Sequence, residues 1–292
     1  MTPTAASAPK LCAVVAVRNE EANIRACLDA FAQFRGEVET VVVDNSSTDA
    51  TKRIAAECGA RVLDTGPERS AQRNLGWRAA RADLVVILDA DMIVPPETVR
   101  EMLSKADGDA ETFAWWIPET RAGRGFRAKA RNFERSFYDG TCIDALRLFR
   151  RPVLEATGGY DENLIAGPED WDLDIKILAT GAKCEVLRNG LFHNEKQLSF
   201  GRMLAKKAYY SKSMGAYRAK WPGHPAVRRQ FSPFYRLFGV FFEKGRWRKV
   251  ARHPLLWLAA LFDRLAVGLV YLANRGGPKS AKCGKLEKEE RK

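Results

Sequence analysis

Residues 84–91 read LVVILDAD, and no other stretch limits the fold as strongly. An unbroken aliphatic run of this length suits a strand covered on both faces, as in a parallel sheet flanked by helices. The strand then ends in two carboxylates, Asp89 and Asp91, before the chain turns apolar again at Met92. Two negative charges that close repel unless a positive group sits with them. Two more runs behave alike: LCAVVAV (11–17) gives way to Arg18 and Asn19, and VETVVVD (38–44) closes on Asp44.

The segments between these runs have helical character. Ile24, Leu28 and Phe31 recur at helical spacing in NEEANIRACLDAFAQF, and STDATKRIAAEC opens a helix with Ser47 or Thr48 as N-cap. A short strand near 61–63 and a helix through SAQRNLGWRAA lead back to the opening run. Strand and helix in alternation predict an α/β domain, a mostly parallel Rossmann-like sheet flanked by crossover helices. Ligands of such sheets sit beyond the carboxyl ends of the strands, where Arg18, Asn19, Asp44, Asp89 and Asp91 all fall. After Pro95 and Pro96 the pattern loosens. A helix near 97–105, a strand in ALRLFRR (145–151) and a short strand at 184–187 before His193 are expected. The glycine-bearing loop GGYDENLIAGPEDW enters a helix whose first turn carries Glu169 and Asp170.

Charge divides the chain. Residues 196–292 hold 23 Lys and Arg against 5 Asp and Glu, whereas residues 1–195 hold 25 against 31. A basic part joined to a slightly acidic body fits nucleic acid, a membrane surface or a polyanionic substrate. Within the basic part, residues 254–274 match the roughly 20 residues of a membrane-spanning helix. Asp263 and Arg264 sit at its centre and basic residues flank it, which fits an interfacial helix better than a span. Six scattered cysteines without a C-x-x-C pattern read as reduced thiols of a cytosolic protein. The polar start MTPTAASAPK lacks the features of a signal peptide.

An Asp-x-Asp at a strand end offers oxygen ligands to a hard divalent cation such as Mg²⁺ or Mn²⁺. By itself the pattern is common. Here it stands in order with VRNEE, VVVDNSSTDAT, ERSAQRNLGW, AGPEDWDLDIK and FHNE. Over residues 10–195 this set resembles the inverting glycosyltransferases of family 2, bacterial type, which have the nucleotide-diphospho-sugar transferase fold called GT-A. The resemblance implies a metal-dependent hexosyltransferase that uses a nucleoside-diphosphate sugar, UDP-sugar first. It implies that Asp44 binds the donor base, with Asn45 beside it where a second acid is usual. Asn19 and Glu20 match the ribose-contacting stretch, with Arg18 replacing a small or aromatic residue. Arg73 and Asn74 match an Arg-Asn pair near the diphosphate. Asp89 becomes a ribose or metal contact, Asp91 the direct ligand of Mn²⁺ or Mg²⁺, and His193 the downstream ligand. Asp170 is the implied general base, and Glu169 orients the acceptor or supports its loop. Asp172 and Asp174 are expected as surface or structural acids, and Trp171 and Tyr160 either stack on a sugar or pack.

The expected organisation is a disordered lead-in (1–9), a catalytic domain (10–195), a basic helical extension (196–275) and a disordered basic tail (276–292). The basic aromatic extension suggests a lipid-linked or cell-envelope glycan acceptor, reached from the cytoplasm at the inner face of the cytoplasmic membrane, with a soluble small-molecule acceptor as the alternative. A sugar-phosphate nucleotidyltransferase is the rival enzyme, but it needs a glycine-rich loop after the first strand and VAVRNEE has no glycine. A non-catalytic nucleic-acid-binding or scaffold protein is the rival outside enzymes. Nucleic acid is not expected as a partner of the transferase.

Overall fold

The computed structural model describes residues 8–108, 111–164, 167–194 and 213–275. Strands β1 (Leu11–Val17), β2 (Val38–Asp44), β3 (Arg61–Asp64) and β4 (Leu84–Asp89) alternate with helices α1 (Ile24–Asp29), α2 (Thr51–Glu57) and α3 (Arg69–Ala79). β5 (Met92–Ile93), α4 (Pro96–Asp107), β6 (Thr112–Trp116), β7 (Glu119–Arg121) and α5 (Gly125–Arg135) follow. Then come β8 (Leu146–Arg150), α6 (Arg151–Thr157), α7 (Glu169–Ala179), β9 (Lys183–Val186) and β10 (Leu191–His193).

Seven strands form one sheet in the order β3-β2-β1-β4-β8-β6-β9. β1 runs parallel to β2 and β4, and β8 is antiparallel to both β4 and β6. The register aligns Val17 with Asp44 and Ala16 with Asp89, so the polar ends of three strands finish at one edge. Alternate side chains feed separate layers. Ala13, Val15, Val86 and Leu88 pack on one face, and Cys12, Val14, Val85 and Ile87 on the other. α3 lies close against the sheet because Gly76 has no side chain: a Cβ there would meet Val14 Cγ1 at 2.1 Å.

A second sheet of three short strands, β5-β10-β7, decides the site. It pairs His193 with Met92, and Asn194 N donates to Asp91 O at 2.7 Å. His193 therefore lies in its own strand, β10, rather than behind the strand at 183–186.

Some local expectations need correcting. α2 starts at Thr51, where Asp49 Oδ1 accepts from the Thr51 N–H at 3.0 Å. Ser47 and Thr48 are engaged elsewhere: Asn19 N donates to Ser47 Oγ, and Thr48 N donates to Asn19 Oδ1, both at 2.8 Å. Of the two alternatives for Asp172 and Asp174, the structural one holds, since both are buried. Asp172 accepts from Trp221 Nε1 at 2.8 Å and pairs with Lys220, while Asp174 accepts from Leu146 N at 3.1 Å. Tyr160 is buried with the Arg73 guanidinium 5.2 Å from its ring centroid, which is packing rather than a sugar platform.

The described helices of the basic extension, Met214–Lys220, Pro225–Gln230, Trp247–Arg252 and Pro254–Arg275, pack onto the body. Tyr235, Val240, Phe241, Val250 and Ala260 form one cluster with Phe133, Phe137 and Ile143, and Tyr217 and Val227 form another with Leu164 and Ile175. The two central charges of the last helix are used in this packing. Arg264 Nε bonds Glu134 at 2.5 Å, and Asp263 lies 3.5 Å from Arg127. Among the described residues no helix is long and apolar enough to cross a membrane. The described cysteines Cys12, Cys27, Cys58, Cys142 and Cys184 are all free thiols. Most of the expected helix at 199–219, most of the lead-in and the whole of 276–292 lie outside the described residues.

Candidate active site

Beyond the carboxyl ends of β1 and β4 opens a crevice of about 600 Å³. Arg18, Glu20, Asn45, Asp89, Asp91, Glu169, Asp170 and His193 line it, as do Arg69, Gln72 and Arg147. Asn19, Asp44, Arg73 and Asn74 stand behind that surface or beside it.

Arg73 ties the acids together. Its side chain is fully buried in α3, with Nη2 3.0 Å from Asp89 Oδ1 and Nη1 2.7 Å from Asp170 Oδ1. Glu169 Oε1 lies 3.6 Å from the same Nη1, and Arg69 approaches Asp89 Oδ2 at 3.7 Å. Burial alone would raise the Asp89 carboxyl, but the charges of Arg69, Arg73 and Arg147 overrule it and hold the group well below the usual carboxylate range. Glu169 shifts the other way, because burial and the neighbouring Asp170 both disfavour its charge. Its Oε2 accepts from the Gly167 N–H, which fixes the loop leading into α7.

Asp91 has a different partner, His193 Nε2 at 3.1 Å. Burial opposes charge on this imidazole, yet its hydrogen bond to Asp91 and the negative charges of Asp91 and Glu119 outweigh burial and push it up to about 9. On the far side of the ring Nδ1 faces Glu119 Oε2 at 3.8 Å, and Glu119 is itself bound by Arg147 and Arg135 at 2.8 and 3.3 Å. The repulsion implied by the Asp-x-Asp is thus answered within the chain: arginines meet Asp89 and a histidine meets Asp91.

A divalent ion fits one part of this arrangement. Two ligand atoms on adjacent corners of an octahedron at 2.0–2.1 Å lie about 3 Å apart, close to the separation of Asp91 Oδ2 and His193 Nε2. Carboxylate oxygen and imidazole nitrogen are also donors that Mn²⁺ accepts. Asp89, expected as a further ligand, is turned to the guanidinium groups of Arg73 and Arg69. Among the described residues no group of three or more His, Cys, Asp or Glu side chains gathers as a metal cage.

Several expected contacts have other duties. Asn74 is buried, and its amide donates to Tyr160 O at 2.9 Å and Glu162 Oε1 at 2.8 Å. Its Oδ1 accepts from Tyr160 N at 2.9 Å and Trp77 Nε1 at 3.0 Å. It clamps the loop after α6 and does not reach the crevice, because adjacent helix residues point about 100° apart. Asn74→Ala would strand buried polar groups and is expected to cost about 2–4 kcal/mol. Urea denaturation measures that loss; nucleotide affinity at low temperature stays within about threefold of wild type if Asn74 is only a clamp.

Asn19 is a staple between the loops after β1 and β2, with φ at 53° and both of the hydrogen bonds given above. Glu20 lines the crevice, with Oε2 accepting from Asn23 Nδ2 at 2.7 Å. Asn45 donates to Pro67 O at 2.6 Å. An ionised aspartate could not donate that bond, so the amide at this position fastens the loop after β2 to the turn at 66–67. Asp44 is buried: Oδ2 accepts from Ser47 N at 2.8 Å, while Oδ1 has no hydrogen-bond donor among the described residues.

Arg69, Gln72, Glu119 and Arg147 belong to the site or its support without having been expected from the sequence. Arg69 precedes Arg73 by one helical turn, a spacing that puts both on one face and was there to be read. Gln72 Nε2 donates to Val17 O at 2.9 Å and Val43 O at 2.7 Å, lacing two strand ends. Arg147 carried no local signal, since its partner Glu119 is 28 residues away.

A mostly parallel sheet with its acids gathered at one edge and an antiparallel β8 beside β4 defines the GT-A class of fold. The sequence profile described as Glycosyl transferase family 2 matches residues 12–158. The chain is 38% identical to the succinoglycan biosynthesis protein ExoO of Rhizobium meliloti, over 96% of this chain and 93% of that protein. It belongs to glycosyl transferase family 2 and is an enzyme of the glycosyltransferase class. It is also 31% identical to an undecaprenyl-phosphate 4-deoxy-4-formamido-L-arabinose transferase of Pseudomonas fluorescens, over 49% of this chain and about half (47%) of that protein. Two solved structures share the fold. The mannosyltransferase PcManGT of Pyrobaculum calidifontis, in complex with GDP-Man and Mn²⁺, superposes with a TM-score of 0.58 at 19% identity, covering 93% of this chain and 77% of its own. TarS 1–349 of S. aureus, in complex with UDP-GlcNAc, gives 0.57 at 19% identity, covering 87% and 80%.

Proposed function

We propose that this glycosyltransferase moves a sugar, with inversion, from a nucleoside-diphosphate sugar to an acceptor hydroxyl on a lipid-linked or cell-envelope glycan. The observation that carries the reading is one crevice holding two distinct charge groups, the Asp91–His193 pair and the acids bridged by Arg73. Asp91 and His193 would hold Mn²⁺ or Mg²⁺, which when bound neutralises charge on the leaving diphosphate. Arg69 and Arg147 line the same crevice and add fixed positive charge where the diphosphate carries its negative charge. Asp170 takes the proton of the acceptor hydroxyl, held in orientation by Arg73. The unpaired acceptor Asp44 Oδ1 suits an N–H of the donor base, and the resemblance to family 2 favours uracil, hence a UDP-sugar, as that donor.

The acceptor class is supported by the succinoglycan and undecaprenyl-phosphate names of the relatives and by the basic extension. The same extension supports a working position at the inner face of the cytoplasmic membrane. The nucleic-acid reading is disfavoured because part of the basic charge turns inward: Arg246 and Lys244 bond backbone carbonyls at 137–140, and Arg264 bonds Glu134.

Thermal unfolding with UDP, GDP and their sugars, with and without Mn²⁺, tests the donor and the metal together. A ligand at about a hundredfold its Kd stabilises by about 2.7 kcal/mol, a rise of several degrees for a chain of this size. The expected result is the largest rise with a UDP-sugar plus Mn²⁺, and loss of the Mn²⁺-dependent part in Asp91→Ala. An equal rise without metal in both proteins would sink the metal assignment.

A further inference from the structure

The last helix has two unlike faces. At about 100° per residue, Trp257, Ala260 and Arg264 fall on one side, and Leu255, Leu258, Phe262 and Leu265 occupy an arc of about 80° on the opposite side. The first side is spent on the body: Ala260 is buried, Trp257 packs edge-on to Phe241 at 6.4 Å, and Arg264 bonds Glu134. The second side is bare, with Leu255 70% and Phe262 71% exposed. Just before it in the chain, Phe234 is 74% exposed and Trp247 51%. Single exposed apolar residues are ordinary on a protein surface; a continuous helical stripe of them marks a contact surface.

Charge identifies what the stripe meets. Residues 213–275 hold 12 Lys and Arg against 2 acids, Glu243 and Asp263. Both acids already face arginines, Arg229 at 3.6 Å and Arg127 at 3.5 Å. Exposed Arg248 and Arg252 stand on the helix Trp247–Arg252 that leads into the stripe. A second copy of this chain would bring the same excess of positive charge to the contact, whereas an anionic bilayer complements it.

We propose that the outward face Leu255, Leu258, Phe262 and Leu265 inserts into the headgroup–acyl boundary of an anionic membrane, so that the helix lies in the plane of the bilayer. The opposite face stays keyed to α5, and the charges Asp263 and Arg264 remain on the protein side. This deepens the membrane part of the function proposed above and needs neither its donor nor its metal. A helix held along one edge by the body cannot turn to span, so the surface also fixes how the enzyme stands on the lipid.

The test is flotation of the full chain with phosphatidylcholine vesicles, with and without phosphatidylglycerol. The wild type is expected to float with the anionic vesicles, less so in high salt. Leu258→Glu/Phe262→Glu should cut the bound fraction about tenfold or more, and Arg248→Glu/Arg252→Glu should remove the preference for anionic lipid. Both variants change exposed residues only, and the stabilisation by UDP-sugar and Mn²⁺ measured on them reports on the crevice independently. Unchanged flotation of Leu258→Glu/Phe262→Glu overturns the proposal. So does a wild-type dimer in gel filtration that this variant converts to monomer, which would make the stripe a contact between copies.

Discussion

Asp170→Asn is expected to lower sugar transfer by about 10³-fold while leaving donor binding nearly intact, the size usual for loss of a general base. The amide is isosteric, and its oxygen can still accept from Arg73 Nη1, which Asp170 Oδ1 does at 2.7 Å. The α7 terminus therefore keeps its place, and the Asp91–His193 pair is untouched. What disappears is the capacity to take a proton from the acceptor hydroxyl. Single-turnover transfer measured beside the nucleotide-induced thermal shift separates the two effects. Equal loss in both would mean that Asp170 serves the donor rather than the acceptor; transfer within tenfold of wild type would move the base elsewhere, with Glu169 next in line.

The frame of this site was legible because its strands are short aliphatic runs that end in charge. β1, β2 and β4 each carry the pattern, and their register sets Asp44 and Asp89 at one edge. The neighbours of those acids were harder to read. Arg73 and Asn74 are adjacent in sequence, yet one turns to the crevice and the other to the loop at 160–162, and a dipeptide holds no record of that divergence. His193 reaches Asp91 through a sheet built of strands only two and three residues long, too short to leave a periodicity. Asp263 and Arg264 looked like charges inside an apolar run because their partners Arg127 and Glu134 lie 136 and 130 residues away. Arg69 apart, whose helical spacing from Arg73 is local, the features hard to read depend on long-range partners, whereas the legible ones depend on a local pattern.

Arg73→Met should be the most destabilising single change in the crevice, by about 3–5 kcal/mol, because it removes the cation in direct contact with Asp89 and Asp170 and leaves the buried Glu169 beside them. Methionine fills much of the same volume, so the loss reports on charge more than on packing. The pH dependence supplies the check. Arginine contact depresses the Asp89 carboxyl in the folded state, below its unfolded value of about 3.9. That contribution is therefore complete above pH about 4 and fades as pH falls through the lower folded value. With Arg73 gone, Asp89 loses a main source of the depression, while burial and Asp170 continue to raise Glu169. Protonating these acids then relieves repulsion instead of breaking a pair. The gap in unfolding free energy between wild type and Arg73→Met should be full at pH 7 and shrink steadily below pH about 4. Urea titrations across that range measure it, and a gap that stayed constant with pH would mean that Arg73 contributes through packing alone.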